Sequence, residues 1–208
     1  MSRAVLLSIK PKYCELIASG RKTMELRKAR PKLETPFKCY IYCTKAGEPL
    51  FDGNIIAGGC KKDKIFTPRG VAKKDALALW DALNGKVIGE FVCDEIQVFH
   101  YGIQTPEDAR SWQDCYKGYS EDLYFMDGTM LSGKEIDDYG AGKFIYTWNI
   151  SDLVIYDKPK ELSEFRGLCK YMDRDCGACP YYDYNIMDCK GRTITRPPQS
   201  WMYVEELT

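Results

Sequence analysis

The chain of 208 residues contains a single histidine, His100. This scarcity argues against Ser-His-Asp and Cys-His catalytic arrangements, in which an imidazole activates the nucleophile. A glycine-rich loop that could cradle a phosphate is also missing, since Gly58-Gly59 is too weak a signal. The two absences argue against triad hydrolases and against P-loop nucleotide-binding enzymes.

Long apolar segments are absent as well. No run approaches the roughly 18 apolar residues of a membrane-spanning helix, so none is predicted. The apolar run at residues 4–9 is too short for the hydrophobic region of a signal peptide. Ten cysteines would indicate a disulfide scaffold in a secreted protein, but here they indicate thiols that are free or bound to metal. We expect a cytoplasmic protein.

Charge is unevenly distributed, although the formal net charge is zero. Residues 1–74 carry 17 Lys+Arg and 6 Asp+Glu, a net of +11, whereas residues 75–208 carry 13 and 24, a net of −11. A positive half of this size predicts contact with the phosphates of RNA or a nucleotide. The alternatives are a dipolar protein without a polyanionic partner and an interaction protein whose basic face binds an acidic partner.

Short strands dominate the predicted secondary structure. The patterns of apolar residues, together with Pro, Gly and acidic residues at helix ends, predict a mixed α+β domain over residues 1–158. Closing its strands into a small β-barrel would remove exposed edges. The predicted strands are at 4–9, 22–27, 37–44, 86–98, 143–150, 153–156 and 201–207, and the predicted helices are at 10–20, 72–83, 105–117 and 132–139.

A lysine, a carboxylate and an arginine occur together at the start of the second predicted strand. Glu25 and Arg27 are two residues apart, so a strand directs both to the same side. Lys22 lies at the first position of that strand. Arginine supplies a planar fork of donors, lysine a mobile ammonium and glutamate a proton acceptor, a set that suits a polar anionic ligand. An ordinary exposed Glu–Arg pair is the alternative.

The segment GRKTMELR at residues 20–27 has the pattern G-x-K-x-x-E-x-R, which resembles the signature of the ASCH domain family. LLSIKP at 6–11, GKVIGEF at 85–91 and FIYTWNI at 144–150 are similar to the segment before the first helix, the central strand and a late strand of that family. The resemblance covers about residues 4–157. PPQSW at 197–201 is similar to the ending of a group of bacterial and prophage-associated ASCH proteins.

This resemblance implies a PUA-like β-barrel with short flanking helices that binds RNA or a nucleotide in a polar cleft. Family enzymes that deacetylate acetylcytidine use the signature lysine, which corresponds to Lys22. Their signature threonine corresponds to Glu25, a departure from the enzyme pattern, and Glu90 is a candidate for their catalytic glutamate, which lies further along the chain. The alternative function is therefore an amidohydrolase of acylated nucleosides, or a nuclease, with Lys22 and Glu25 as its catalytic residues.

The two functions use Lys22 differently. In an enzyme, burial and a neighbouring arginine would lower the lysine pKa, so that neutral Lys22 acts as nucleophile or base. In a binding protein, charged Lys22 and its basic neighbours contact phosphates, while tyrosines stack on a base or simply pack on neighbouring strands. The predicted ligand-contacting residues are Lys10, Lys22, Glu25, Arg27, Lys28, Arg30, Tyr40, Tyr42 and Glu90.

A cysteine-rich extension is predicted at residues 159–208, where four cysteines occur within 21 residues at the spacing C-x6-C-x2-C-x9-C. The C-x2-C pair lets two thiolates approach one tetrahedral ion. This predicts a structural zinc ion, with free thiols or a redox-active pair as the alternative. The predicted ligands are Cys169, Cys176, Cys179 and Cys189. The other six cysteines are predicted to be small core residues.

Overall fold

In this computed structural model, the described residues are 2–45, 83–99, 128–131, 133–141, 143–169, 179, 182–183, 185, 188–189 and 192–207. Several sequence predictions lie outside them. They are the helix at 72–83 except for its last residue, the whole helix at 105–117, and His100.

Two α-helices and ten strands occur in this described part of the chain. None of the helices found there has the length and hydropathy needed to cross a membrane. The helices are α1 (Pro11–Ala18) and α2 (Gly133–Gly140), and a 3-10 turn covers Leu162–Glu164. The strands are β1 (Arg3–Ile9), β2 (Met24–Arg27), β3 (Phe37–Cys43), β4 (Val87–Cys93), β5 (Ile96–Phe99), β6 (Ile145–Asn149), β7 (Ser151–Lys160), β8 (Tyr182–Asp183), β9 (Asp188–Cys189) and β10 (Trp201–Glu205).

The largest sheet has five strands in the order β10-β1-β3-β4-β7. Strand β1 runs parallel to β3 and antiparallel to β10, with Leu6 opposite Tyr40 on one side and Met202 on the other. All residues of β1 after Arg3 are buried. A strand covered on both faces is apolar along its whole length, which explains why β1 shows no alternation of polar and apolar residues. Strand β10, from the predicted extension, forms an edge of this sheet.

The C-terminal region also contributes to the core behind this sheet. Phe165 packs edge-to-face on Tyr40, with ring centroids 4.9 Å apart. The backbone N–H of Leu207 donates to the Tyr40 hydroxyl at 2.8 Å. The buried core residues here are Ala4, Leu6, Tyr40, Tyr42, Val87, Phe165, Ile194 and Val204. Cys14, Cys39, Cys43 and Cys93 are buried too, as predicted, while Cys60 and Cys115 lie outside the described residues.

A second, antiparallel sheet has the order β2-β6-β5. Its central strand carries Trp148, which is fully buried and meets the ring of Phe37 edge-on at 5.8 Å between centroids. In the register of β2 and β6, Glu25 lies opposite Trp148 and Arg27 opposite Tyr146. Directly paired residues of neighbouring strands point to the same face. The signature glutamate and arginine therefore share one face of this sheet.

The chain forms two compact units. The first comprises Met1–Cys14, Lys38–Glu90 and Val154–Thr208, and the second comprises Glu15–Phe37 and Phe91–Leu153. The three-stranded sheet lies entirely in the second unit. Lys22, Glu25 and Arg27 belong to that unit as well.

The mixed α+β architecture with few helices is confirmed, but the predicted closed barrel is wrong. Within the described ranges the strands form three separate sheets, the third being the pair β8-β9. The predicted strand at 86–98 is interrupted at the exposed residues Asp94 and Glu95. Strand β4 before the interruption pairs in the five-stranded sheet, and β5 after it pairs in the three-stranded sheet. A closed barrel needs one continuous ladder of strands, and the strands of the described ranges do not form one.

Candidate functional site

A tight turn after α1 sets the position of Lys22. Gly20 has a φ of +72°, a conformation that glycine adopts without strain and that commonly ends helices. The backbone N–H groups of Arg21 and Lys22 then donate to the Leu16 carbonyl at 3.0 and 2.9 Å. These bonds hold the chain between α1 and β2, so the lysine enters the sheet from a defined backbone position.

Lys22, Glu25 and Arg27 converge in the structure. The Glu25 carboxylate lies 3.5 Å from the Lys22 ammonium through one oxygen and 3.0 Å from the Arg27 guanidinium through the other. The three residues are only 2%, 6% and 6% exposed, respectively. One buried carboxylate therefore holds two cations. This is different from the exposed, weakly coupled Glu–Arg pair that was the alternative from sequence.

A distant turn completes the surroundings of the lysine. The Lys22 ammonium donates to the backbone carbonyl of the fully buried Thr129 at 2.8 Å. The preceding carbonyl, that of Gly128, accepts the backbone N–H groups of Thr23 and Met24 at 2.8 and 2.9 Å. A Cβ at Gly128 would lie 2.5 Å from the Thr23 hydroxyl, and its φ is +82°. The turn thus requires glycine at the point where it meets β2.

Burial controls the protonation of Lys22. It lowers the pKa of this lysine below its ordinary value; Glu25 opposes the shift and Arg27 adds to it. The direction is physically expected, because a cation removed from water is costly unless its charge is balanced. With Lys22 protonated, the three side chains carry a net charge of +1. With Lys22 neutral, the charges of Glu25 and Arg27 cancel, and the lysine can act as a base or nucleophile.

The rim of the cluster is exposed, basic and aromatic. Lys28 and Arg30 follow β2 and are exposed. The Lys28 ammonium lies 4.9 Å from the ring centroid of Tyr139 on α2, and the Tyr139 hydroxyl is hydrogen-bonded to the Lys28 backbone. Burial raises the pKa of Tyr139, while nearby Arg27 lowers it and Glu25 raises it. Tyr139 therefore reaches from the buried charges to the surface.

Sequence reasoning missed Gly128, Thr129 and Tyr139. The only local signal was the Asp-Gly dipeptide at 127–128, which indicates a turn. The helix predicted at 132–139 included Tyr139, but no pattern linked it to the signature. Residue spacing cannot reveal contacts between segments 107 positions apart, such as that of Lys22 with Thr129.

The two tyrosines proposed for base stacking are buried. Tyr40 is fully buried and Tyr42 is 3% exposed, both in the core of the first unit. Strand β3 lies between β1 and β4, which cover its edges. Their placement matches the alternative that was left open, in which the tyrosines pack against neighbouring strands.

Lys10 and Glu90 belong to the first unit. Lys10 is exposed immediately before α1. Glu90 accepts a hydrogen bond from the Tyr156 hydroxyl at 2.5 Å and forms an ion pair with Lys38 at 3.1 Å. In this structure the Glu90 carboxylate thus has partners of its own.

Three of the four predicted zinc ligands are described. Cys169, Cys179 and Cys189 are not in disulfide bonds, and Cys176 lies outside the described residues. Tyr182 connects two of them, since its N–H donates to the Cys179 carbonyl at 3.1 Å and its partner across β8-β9 is Cys189. Among the described residues, no three His, Cys, Asp or Glu side chains form a group that could hold a metal ion.

A domain built mostly of strands, with a lysine and an arginine held by one glutamate after its first helix, has the features of a small PUA-like domain. More specifically, the chain belongs to the ASCH domain family, whose model matches residues 7–133. The resemblance drawn from the signature is thereby confirmed.

Solved structures of this family provide a further comparison. The chain is similar to the crystal structure of ASCH from Zymomonas mobilis, with 16% identity over 98% of this chain and 88% of that chain and a TM-score of 0.44. The crystal structures of two mutant ZmASCH proteins from the same organism, one with a serine replaced by alanine and one with a tyrosine replaced by phenylalanine, are each 15% identical to this chain over 98% of its length. The matches cover 89% and 91% of the mutant chains, with TM-scores of 0.44 and 0.42, respectively. No curated protein matches the chain.

Proposed function

We propose that this protein binds RNA or a nucleotide where β2 emerges from the buried Lys-Glu-Arg cluster. The observation that carries the proposal is the convergence of Lys22 and Arg27 on Glu25, at 3.5 and 3.0 Å, directly before an exposed basic segment. ASCH domains are in general nucleic-acid-binding, which supports the same ligand class. The net charge of +11 on residues 1–74 suits a polyanionic ligand.

The buried ion pairs hold in place the strand end that precedes the exposed basic residues. Arg27 is held by Glu25, and Lys28 and Arg30 follow it immediately. A phosphate bound by them meets side chains that extend from an anchored strand end, which reduces the entropy lost on binding. While Lys22 is protonated, the net +1 of the cluster adds to the attraction for the phosphate backbone.

Removing the exposed charges is expected to weaken the salt dependence of binding. Each phosphate contact contributes about 0.7 to the slope of log affinity against log salt for single strands. The double variant Lys28→Ala, Arg30→Ala should therefore flatten the slope by about 1.4. Fluorescence anisotropy with labelled RNA over a salt series measures it. The double variant Lys12→Ala, Lys158→Ala removes two exposed lysines elsewhere and is the control. Equal flattening in both variants, or a flat wild-type response, would contradict the proposal.

The lowered pKa of Lys22 favours a second candidate, hydrolysis of an acylated nucleoside of the acetylcytidine type. A neutral Lys22 would act as base or nucleophile at the amide carbonyl. The Glu25 carboxylate, 3.5 Å away, would stabilise the ammonium that forms when the lysine takes up a proton. Nuclease activity is the other catalytic alternative, and it would appear as shortening of the RNA in the binding experiment.

The variant Lys22→Arg separates binding from hydrolysis. Arginine keeps the positive charge but does not lose its proton, so it cannot act as a base. Turnover of acetylcytidine, measured by chromatography, should fall by about 10²–10⁴-fold, the usual contribution of a general base. Wild-type turnover should rise with pH as Lys22 deprotonates, below the ordinary lysine range. Absence of wild-type turnover would exclude this activity, and a fully active variant would exclude Lys22 as the base. Thermal unfolding of the variant checks that the larger side chain is tolerated.

A further inference from the structure

Two buried thiols outside the candidate site lie next to each other. Cys14 belongs to α1 and Cys43 is the last residue of β3, and both are 0% exposed. Neither is in a disulfide bond, and the two side chains are hydrogen-bonded to each other. Both residues belong to the first compact unit. The proposed function uses neither of these two nucleophilic groups.

Hydrogen bonds at the end of β1 bring the two thiols together. In the parallel pairing of β1 with β3, Cys43 lies opposite Ile9. The Ile9 carbonyl accepts the Thr44 N–H at 2.9 Å and the Cys14 thiol at 3.5 Å. The Cys14 sulfur is therefore anchored at the end of the β1-β3 ladder, where Cys43 is located. A disulfide can form only where two cysteine side chains are directed towards each other, and the contact between these two side chains shows that they are.

The contact also makes one thiol of the pair more reactive. The hydrogen bond with Cys14 lowers the pKa of Cys43 below its ordinary value, although burial opposes the shift. Cys93 of β4 is also 0% exposed, but there burial, together with the charge of Asp94, raises the pKa to about 12. The thiolate is the form that attacks an oxidant. Of these equally buried thiols, Cys43 is therefore the one prepared to react.

We propose that Cys14 and Cys43 are a redox-sensitive pair, which hydrogen peroxide converts to a disulfide that fastens α1 to the end of β3. The Cys43 thiolate attacks one peroxide oxygen, the O–O bond breaks, and Cys43 becomes a sulfenic acid while the other oxygen leaves as water. The Cys14 sulfur then attacks the Cys43 sulfur, the S–O bond breaks, and a second water leaves. The two thiols are oxidised and the peroxide is reduced. This inference is independent of RNA binding.

The location of the pair lets a small oxidant reach it. Cys43 ends its strand, and the chain is exposed two residues later, at Lys45. Strand ends open locally at a lower free-energy cost than the middle of a sheet. Hydrogen peroxide is little larger than water, so a small opening at this end of β3 admits it.

The test treats the native full chain with hydrogen peroxide, blocks the remaining thiols and digests the protein with trypsin. Trypsin releases Cys14 in the peptide 13–21 and Cys43 in the peptide 39–45. Mass spectrometry should find these two peptides joined through Cys14 and Cys43, and dithiothreitol should separate them because thiol–disulfide exchange reverses the bond. The same oxidation in urea should give several-fold less of the joined peptides, since any two of the ten cysteines can then meet.

Cys39 provides the matched control, because it is buried on the same strand and lies in the same tryptic peptide as Cys43. Cys39→Ser should keep the disulfide, whereas Cys14→Ser and Cys43→Ser should lose it. Oxidation should raise the Tm of the wild type and of Cys39→Ser by about 5–15 °C relative to oxidised Cys14→Ser, because the bond closes a long loop of the unfolded chain. If a serine variant does not fold, fragmentation of the wild-type peptides still distinguishes Cys43 from Cys39.

Four results would overturn the redox-sensitive pair. Peroxide could modify other cysteines while Cys14 and Cys43 stay thiols, or it could join Cys14 mainly to a different cysteine. Cys43 could accumulate as a sulfinic acid without the disulfide, which would show that Cys14 does not attack the sulfenic acid. Finally, a disulfide that forms without raising the Tm would show that it does not fasten α1 to the sheet.

Discussion

Glu25→Gln is expected to lower the free energy of unfolding by about 3–5 kcal/mol, the range for removing one partner of a buried ion pair. The substitution keeps the shape of the side chain but leaves Lys22 and Arg27, 2% and 6% exposed, without their shared counter-ion. Lys22 can lose its proton, but the arginine cannot. The loss should therefore be larger near neutral pH than at alkaline pH, where Lys22 becomes neutral. Urea unfolding followed by circular dichroism at several pH values measures it.

Glu34→Gln is the matched control, because it makes the same chemical change at an exposed position. Exposed substitutions of this kind usually change stability by less than about 0.5 kcal/mol. Glu25→Asp keeps the charge and should lose less stability than Glu25→Gln. If Glu25→Gln proved as stable as the Glu34 control, the carboxylate would not be the group that stabilises the two buried cations.

We also expect the purified protein to contain one zinc ion per chain, and removal of this ion to have a large effect on the C-terminal region. The prediction comes from the spacing of Cys169, Cys176, Cys179 and Cys189, and it stays a prediction because Cys176 lies outside the described residues. Among the described residues, Tyr182 connects the backbones of Cys179 and Cys189. The 21-residue segment at 169–189 contains few aliphatic residues, whereas ordering costs about 1–2 kcal/mol per residue in backbone entropy. A four-thiolate zinc site supplies on the order of 10 kcal/mol.

Elemental analysis of protein purified without chelator measures the metal, and limited proteolysis before and after chelation measures its effect. Chelation should open the region at 169–189 to protease, while residues before it stay protected. Cys179→Ser should lose the zinc, and Cys93→Ser, at a buried thiol in β4, should retain it. Zinc-free protein with a protease-resistant C-terminal region would refute the site and leave four ordinary thiols.

Local patterns predicted most of the elements that lie in the described ranges. The strands at β1, β2, β3, β6 and β10 and the helices α1 and α2 begin and end within a few residues of their predicted limits. Each had a short-range cause, such as the glycine that ends α1. The sheet arrangement was not predictable in the same way. Nothing in the apolar run at 86–98 showed that Asp94 and Glu95 would separate two strands of different sheets.

The sequence by itself determined the family, through G-x-K-x-x-E-x-R, and the pairing of Glu25 with Arg27, because strand alternation brings positions two apart to one side. Only the tertiary structure decided that this cluster is buried, that its lysine donates to the Thr129 carbonyl, and that Tyr139 connects it to the surface. The physical reason is the distance along the chain over which each property is set. Periodicity reflects interactions between residues a few positions apart, whereas the burial of the cluster and the pKa of Lys22 depend on segments more than a hundred positions away that pack against it.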